Sequence, residues 1–188
     1  MARSIREPIG PGFFHVTARG NRRQKIALDS HDYRRFVIEL ADVCRRFEWR
    51  CPVWILMPNH YHLLLDLTAP NLSVGMHRLN TRLAVGFNRR HDLDGHLFQD
   101  RFWSEPILRQ EHLVEVARYI PANPQRAGLC VDALDWLWGS LRSVMGLSSL
   151  PPDLSSDWAL GLFGPSVDAA RETYLRFVRE APPKLQLV

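Results

Sequence analysis

Trp54-Ile55-Leu56-Met57-Pro58-Asn59-His60-Tyr61-His62-Leu63-Leu64-Leu65-Asp66-Leu67 reads as two apolar strands folded about one turn. Trp49 to Met57 forms the first of them, Pro58-Asn59 the turn, and Tyr61 to Leu67 the second. So short a connection makes the pair an antiparallel hairpin. Side chains alternate faces along a strand, so His60 and His62 project side by side and Tyr61 points the other way. Paired imidazoles of this kind can hold one divalent metal ion. Taken alone, the pair reads equally well as two unrelated polar residues near a strand end.

Working outward, Phe13 to Ala18 is rich in aromatic and β-branched residues and reads as an earlier strand. Arg19-Gly20-Asn21-Arg22-Arg23-Gln24-Lys25 follows as a turn whose positive charges suit phosphates, or as an ordinary solvated loop. Ser30 is the expected N-cap of a helix over His31 to Phe47, where Phe36, Val37, Leu40, Ala41, Val43 and Cys44 recur at helical spacing. Beyond the hairpin, Asn71 or Ser73 caps a second helix running to about Arg90. Asp92-Leu93-Asp94-Gly95 breaks it. Leu97 to Trp103 mixes aromatics with charges, which suits base stacking or a rim of the core. Ser104 to Arg109 reads as a fourth strand, and a third helix starts near Gln110. The order strand-helix-strand-strand-helix-strand predicts an α+β, ferredoxin-like (βαββαβ) antiparallel sheet. Both main helices then lie on one face, and the other is left free for a ligand.

Trp136 to Ser140 is expected to pack onto this domain. Leu147 to Ser156, rich in Ser and Pro, reads as a linker, Val167 to Arg179 as an amphipathic helix, and the tail from Ala181 as loose. Residues 1–146 thus form one domain, and residues 147–188 a helical C-terminal extension. A chain of 188 residues with 46% hydrophobic content can bury a sizeable core. No apolar run approaches a membrane span and no signal-peptide pattern opens the chain, so a soluble, cytoplasmic protein is expected. Cys44, Cys51 and Cys130 form no Cys-x-x-Cys pair, which fits a reducing compartment.

Of 24 basic residues only Lys25 and Lys184 are lysine, leaving 22 arginines, whose planar forks suit phosphate. Residues 1–50 carry eleven Arg/Lys against six Asp/Glu, a surplus of +5. Residues 131–188 carry five against seven, or −2. The surplus sits at the front, which points to a nucleic-acid face built from the N-terminal half.

Four tyrosines are candidates for a nucleophile. Tyr61 points away from the histidines, Tyr33 has no link to them, and Tyr174 sits at core-like spacing. Tyr119 and Asn123 share a helix face at i, i+4, offering a phenol oxygen and an amide oxygen. Read alone, Tyr119 is also a surface residue near a helix end. Pro121 lies between the two and is expected to kink or end the helix.

Four ordered blocks carry a resemblance. Phe14-His15-Val16-Thr17-Ala18-Arg19-Gly20-Asn21, Met57 to Leu64, Gly95 to Phe102, and Arg118-Tyr119-Ile120 with Asn123 to Leu129 resemble the single-tyrosine HUH transposases. They are most similar to the REP-associated tyrosine transposases of bacteria, over roughly residues 10 to 145. The resemblance implies a nuclease core acting on single-stranded or hairpin DNA, with Mg²⁺ or Mn²⁺ bound by the His-hydrophobic-His pair and a helical tyrosine that attacks the strand. Carried over, His60 and His62 are metal ligands and catalytic residues, Tyr119 is the nucleophile, and Asn123 is the third ligand. Arg19, Asn21, Arg22, Arg23, Lys25 and Arg101 are the candidate DNA contacts. The expected product is a 5′-phosphotyrosine with a free 3′-hydroxyl. A monomer with its own active site and a homodimer sharing one are both compatible with the sequence.

Two other functions fit the same fold. A non-catalytic single-stranded nucleic-acid-binding module of the RNA-recognition kind requires aromatics on the sheet face and no metal. A metal-dependent hydrolase requires the histidines but uses water as nucleophile. A covalent protein–DNA product separates the transposase reading from both.

Overall fold

The computed structural model describes residues 10–149, 151, 154 and 160–180. Half of the expected linker at 147–156 and the whole tail from Ala181 lie outside the described residues. Four strands, β1 (Gly12–Arg19), β2 (Arg50–Met57), β3 (His60–Leu67) and β4 (Trp103–Ile107), form one sheet in the order β2-β3-β1-β4. Every pairing is antiparallel. Helix α1 (Ser30–Phe47) joins β1 to β2, and α2 (Leu72–His91) joins β3 to β4. The expected βαββαβ order is therefore the observed one. Helix α3 (Gln110–Arg126), the short α4 (Leu141–Val144) and α5 (Val167–Arg179) follow. Among the described residues, no helix is long and apolar enough to cross a membrane.

The two-residue alternation sorts the sheet into two faces. Phe14, Val16, Ala18, Tyr61, Leu63, Leu65, Trp54 and Leu56 face α1 and α2 and join Phe36, Leu40, Val43, Leu72, Met76 and Leu79 in the main core. Each fully buried Leu or Phe here contributes roughly 1.5–3 kcal/mol. The opposite face was expected to be free. It is free only in part, because α3 lays Val116, Ala117 and Ile120 against Val53, Ile55, Met57 and Leu64. Strands β2 and β3 are apolar on both faces, and so both faces need a cover. What stays open is the side formed by β1, β4 and the start of β3.

Two cap positions differ from expectation. Asp29, not Ser30, caps α1, accepting from the amides of His31 at 2.9 Å and Asp32 at 3.2 Å. A carboxylate one residue before the helix reaches two of the orphan amides at once. Asn71 stands at the N-cap of α2, but its side chain serves Trp49 Nε1 at 2.6 Å and the Phe47 carbonyl instead.

Residues 138–140 pair with the free edge of β2, through Leu56 N to Trp138 O and Ser140 N to Trp54 O. That contact covers an edge that would otherwise offer unpaired groups. Helix α5 buries Ala170, Tyr174 and Val178 in a cluster with Ala122 of α3.

Candidate active site

His60 and His62 both lie within β3 and leave it on the α3 side, with ring centroids 5.0 Å apart. Tyr61 between them is fully buried on the other side and donates its hydroxyl to Asn80. A third imidazole, His15 of the adjacent β1, stacks on His62 at 5.1 Å and places its Nε2 3.0 Å from His62 Nδ1.

Each expected histidine ligand is oriented through its Nδ1. His60 Nδ1 lies 2.7 Å from Asn59 Oδ1. A carbonyl oxygen only accepts, so Nδ1 carries the proton and Nε2 keeps its lone pair. The Asn59 amide is held in turn, its Nδ2 donating to the Arg23 carbonyl at 3.1 Å. When His62 Nδ1 donates to His15 Nε2, the Nε2 of His62 is likewise left free.

Burial, then Arg19, lowers the His60 pKa to about 4. Burial, then the charge of His112, lowers His15 to about 4. Burial drives His62 well down, with His15, His60 and Arg19 adding to it. All three rings are therefore neutral near pH 7, the form that binds metals.

Tyr119 of α3 reaches the same place. Its ring meets His62 edge-on at 5.5 Å and His15 at 6.1 Å. Burial raises its phenol pKa, while the charges of Arg126 and Arg19 and a hydrogen bond from Asn123 pull it down. The Arg126 guanidinium stands 5.2 Å from the ring centroid. Among the described residues, none of the other tyrosines makes a ring contact with a histidine: Tyr33 stacks on Trp138, and Tyr174 donates to the Ala117 carbonyl.

The break expected at Pro121 does not occur, and α3 runs through both Pro121 and Pro124. A proline withholds the amide that the carbonyl four residues back would receive, here those of Ala117 and Ile120. Both carbonyls find side-chain donors. Tyr174 Oη serves Ala117 O at 2.8 Å, and Asn123 Nδ2 serves Ile120 O at 3.2 Å, with Tyr119 O at 2.8 Å. Asn123 therefore stays one turn beyond Tyr119, and its Oδ1 has no partner among the described residues.

A metal ion is compatible with this donor set. Two neutral imidazoles with free Nε2 atoms and one unspent amide oxygen stand on neighbouring elements. Among the described residues, no group of three His, Cys, Asp or Glu is placed to hold an ion. Oxygen donors beyond those residue types would thus have to complete the shell.

An open cleft of about 500 Å³ borders His62, lined by Thr17, Arg19, Gln99, Asp100, Arg101 and Trp103. Arg19 and Arg101, both exposed, stand on its walls. Arg22, Arg23 and Lys25 are exposed in the turn after β1. Arg22 and Arg23 adopt left-handed φ values of 51° and 61°. Such backbone persists only where its surroundings enforce it. Here Gly20 N bonds Asn59 O at 2.8 Å and Ile26 N bonds Pro58 O at 2.8 Å. A Cβ at Gly20 would lie 2.1 Å from the Gln24 carbonyl, so only glycine fits. Asn21 is half-buried and bonds the Leu97 carbonyl through its amide at 2.8 Å. It is tied to the 95–102 segment.

Sequence reasoning did not single out His15, Asn59 or Arg126. For His15 a signal existed, since it shares the odd-numbered face of β1 with Thr17 and Arg19. Only the register Thr17↔His62 turns that parity into a contact.

A family described as transposase IS200-like matches residues 13–123, more than half of the chain. No curated protein matches the sequence. Among solved structures, a REP-associated tyrosine transposase bound to a REP hairpin is 22% identical, with a TM-score of 0.63 over 81% of this chain and 90% of that one. A transposase candidate from Deinococcus radiodurans R1 is 16% identical, with a TM-score of 0.44 over 63% of this chain and 95% of that one.

Proposed function

The chain belongs to the IS200-like transposase family and acts on DNA, and on that premise we propose that it nicks and rejoins single-stranded DNA through Tyr119. The observation that carries this reading is the meeting of Tyr119 with His62 at 5.5 Å on the one open side of the sheet. The Tyr119 phenol oxygen attacks the scissile phosphorus, and the bond from phosphorus to the 3′ oxygen breaks. The phenol proton leaves to water in the cleft, and the departing 3′ oxygen takes a proton from water to become a hydroxyl. A 5′-phosphotyrosine remains. Attack by a 3′-hydroxyl on that phosphorus reverses the step and joins strands without ATP.

A phenol is a weak nucleophile at neutral pH. Arg19 and Arg126 favour its charged form, and Asn123 donates a hydrogen bond to it. His60, His62 and Asn123 are the residues that would hold Mg²⁺ or Mn²⁺, which when bound draws charge from the scissile phosphate. Arg19 and Arg101 flank the strand in the cleft, and the Arg22, Arg23 and Lys25 turn holds phosphates beside it. A hairpin next to the cut is the proposed substrate, in line with the hairpin carried by the structurally similar REP-associated transposase. Tyrosine and histidines come from one chain, which supports an active site assembled without a partner.

Labelled single-stranded DNA carrying a hairpin, incubated with protein and Mn²⁺ and then denatured, should migrate with the protein. Peptide mapping should place the label on Tyr119. Cleavage without an adduct at any stage would instead make water the nucleophile.

A further inference from the structure

A second cleft, of about 470 Å³, lies across the ridge Gln99-Asp100-Arg101 from the catalytic cleft, and those three residues line both. One wall is a face of α2 with Met76, His77, Asn80 and Thr81; the other is the irregular 95–102 segment with Phe98. The apolar lining is anchored in the core, because Met76, Leu97 and Phe102 are all buried. Phe98 is half-buried and presents part of its ring. The rim is polar, and the side chains of His77, Thr81 and Gln99 spend no hydrogen bond on the described residues. Asn80 differs from them. Its Oδ1 already accepts from Tyr61, while both N–H groups of its amide are unspent on the described residues and face a ligand as donors.

An apolar slot with an aromatic on one side, unspent donors at its edge and a volume of this size suits a flat heterocycle. Unpaired bases are recognised in this way, by stacking and by hydrogen bonds to their exposed edges. The shared ridge makes the slot continuous with the place where the strand is cut. We propose that this cleft takes an unpaired nucleobase of the cleaved strand, stacked on Phe98, with an acceptor on its edge facing the Asn80 amide. The inference rests on the nicking function proposed above, and it assigns the protein a base-reading site besides its phosphate contacts.

The test uses the full chain in chelator, so that binding is read on uncut DNA. A hairpin with a single-stranded flank is prepared with an abasic site at each flank position in turn, and with 2-aminopurine at the same positions. One position, or two adjacent ones, should weaken binding about tenfold when the base is removed, and 2-aminopurine there should be quenched by the protein. Thr81→Trp, which fills the slot from an exposed helix position, should bind the intact flank about as weakly as wild type binds the abasic one. His77→Ala should lower the same affinity a few-fold and serves if the tryptophan variant does not fold. A blunt hairpin should bind all three proteins alike. Equal binding at every abasic position, or base sensitivity unchanged in both variants, overturns the proposal. Failure to find a Tyr119 adduct would sink the nicking function and leave this binding measurement standing. An adduct formed with no base-sensitive position would do the reverse.

Discussion

Tyr61 and Tyr119 lie on opposite sides of one sheet, Tyr61 between His60 and His62 in the chain and Tyr119 against the rings of His62 and His15, and their surroundings differ in kind. Tyr61 is sealed among Phe36, Phe98 and Asn80, and burial drives its phenol far up with only the Asn80 hydrogen bond opposing. Tyr119 is also raised by burial, but two arginines and Asn123 work against it, and its ring stands against two imidazoles. Burial alone therefore does not mark a nucleophile. A phenol can give up its proton where cations face it and a strand can reach it. The same contrast runs through the arginines. On the α1/α2 side several are spent on acids: Arg82 and Arg35 on buried Glu39, Arg90 on Asp29 and Asp32. Arg19, Arg22, Arg23 and Arg101, on the open side and its turn, make no ion pair among the described residues.

The largest expected effect separates the two tyrosines. Tyr119→Phe should abolish adduct formation while DNA binding and folding persist, since only the phenol oxygen is lost. Tyr61→Phe should keep cleavage and cost about 1 kcal/mol of stability through the lost bond to Asn80. Chemical denaturation and a denaturing gel read the two. An adduct in Tyr119→Phe, or a cleavage defect confined to Tyr61→Phe, would break the contrast.

Next come the neighbours of Tyr61 in sequence. His62→Ala should remove both cleavage and Mn²⁺ binding, the latter read by the paramagnetic signal of the free ion. Leu63→Ala faces the other core and should keep Mn²⁺ affinity while losing about 2–5 kcal/mol of stability. Unchanged Mn²⁺ affinity in His62→Ala would take the histidine pair out of metal binding.

This division was legible in the sequence because it depends on local periodicity. Alternation along Tyr61–Leu67 put His60 and His62 on one side and Tyr61 on the other, and helical spacing put Asn123 near Tyr119. Contacts between distant segments were not legible. His15 meets His62 only through strand register, and Asn59 matters because the turn after β1 folds over it. The effect of Pro121 was misjudged for the same reason. Its cost was read from the helix alone, whereas the carbonyl it strands is served by Tyr174, 57 residues from Ala117. Asp29 was missed as a cap because propensity ranks Ser and Asp alike there, and only backbone geometry chooses between neighbours.

The third effect concerns pH. His15 titrates near 6.5 when unfolded and at about 4 when folded. Between those values the unfolded chain holds more protons, so stability rises with pH across the window and is lost as pH falls from 6.5 to 4. The loss for this one residue approaches about 1.4 kcal/mol per pH unit in the middle of the window. His15→Gln keeps a hydrogen-bonding side chain and cannot titrate, so its stability should fall less steeply over that range. Parallel curves for the two proteins in urea denaturation would show that His15 is not held neutral by the fold. On the α1/α2 side, Tyr61→Phe should leave the slope unchanged.

The smallest effect tests the arginines. Arg22 and Arg23 sit in a turn whose left-handed backbone is enforced by Pro58 and Asn59, so their side chains are presented without an acid to occupy them. A cation already paired in the protein releases few counterions when DNA arrives, whereas an unpaired one near phosphate releases about 0.7 per contact on a single strand. Arg22→Ala with Arg23→Ala should therefore flatten the dependence of log Kd on log salt by about 1.4. Arg78→Ala removes a charge of the same sign from α2. That charge is bound to Asp42 at 3.2 Å, so the slope should not move. Fluorescence anisotropy at several salt concentrations reads both. Equal flattening in the two variants would mean that net charge alone governs binding, and the sorting of arginines by their partners would carry no meaning for DNA. An unchanged slope in the double variant would move the phosphate contacts away from this turn and onto Arg19 and Arg101 at the cleft.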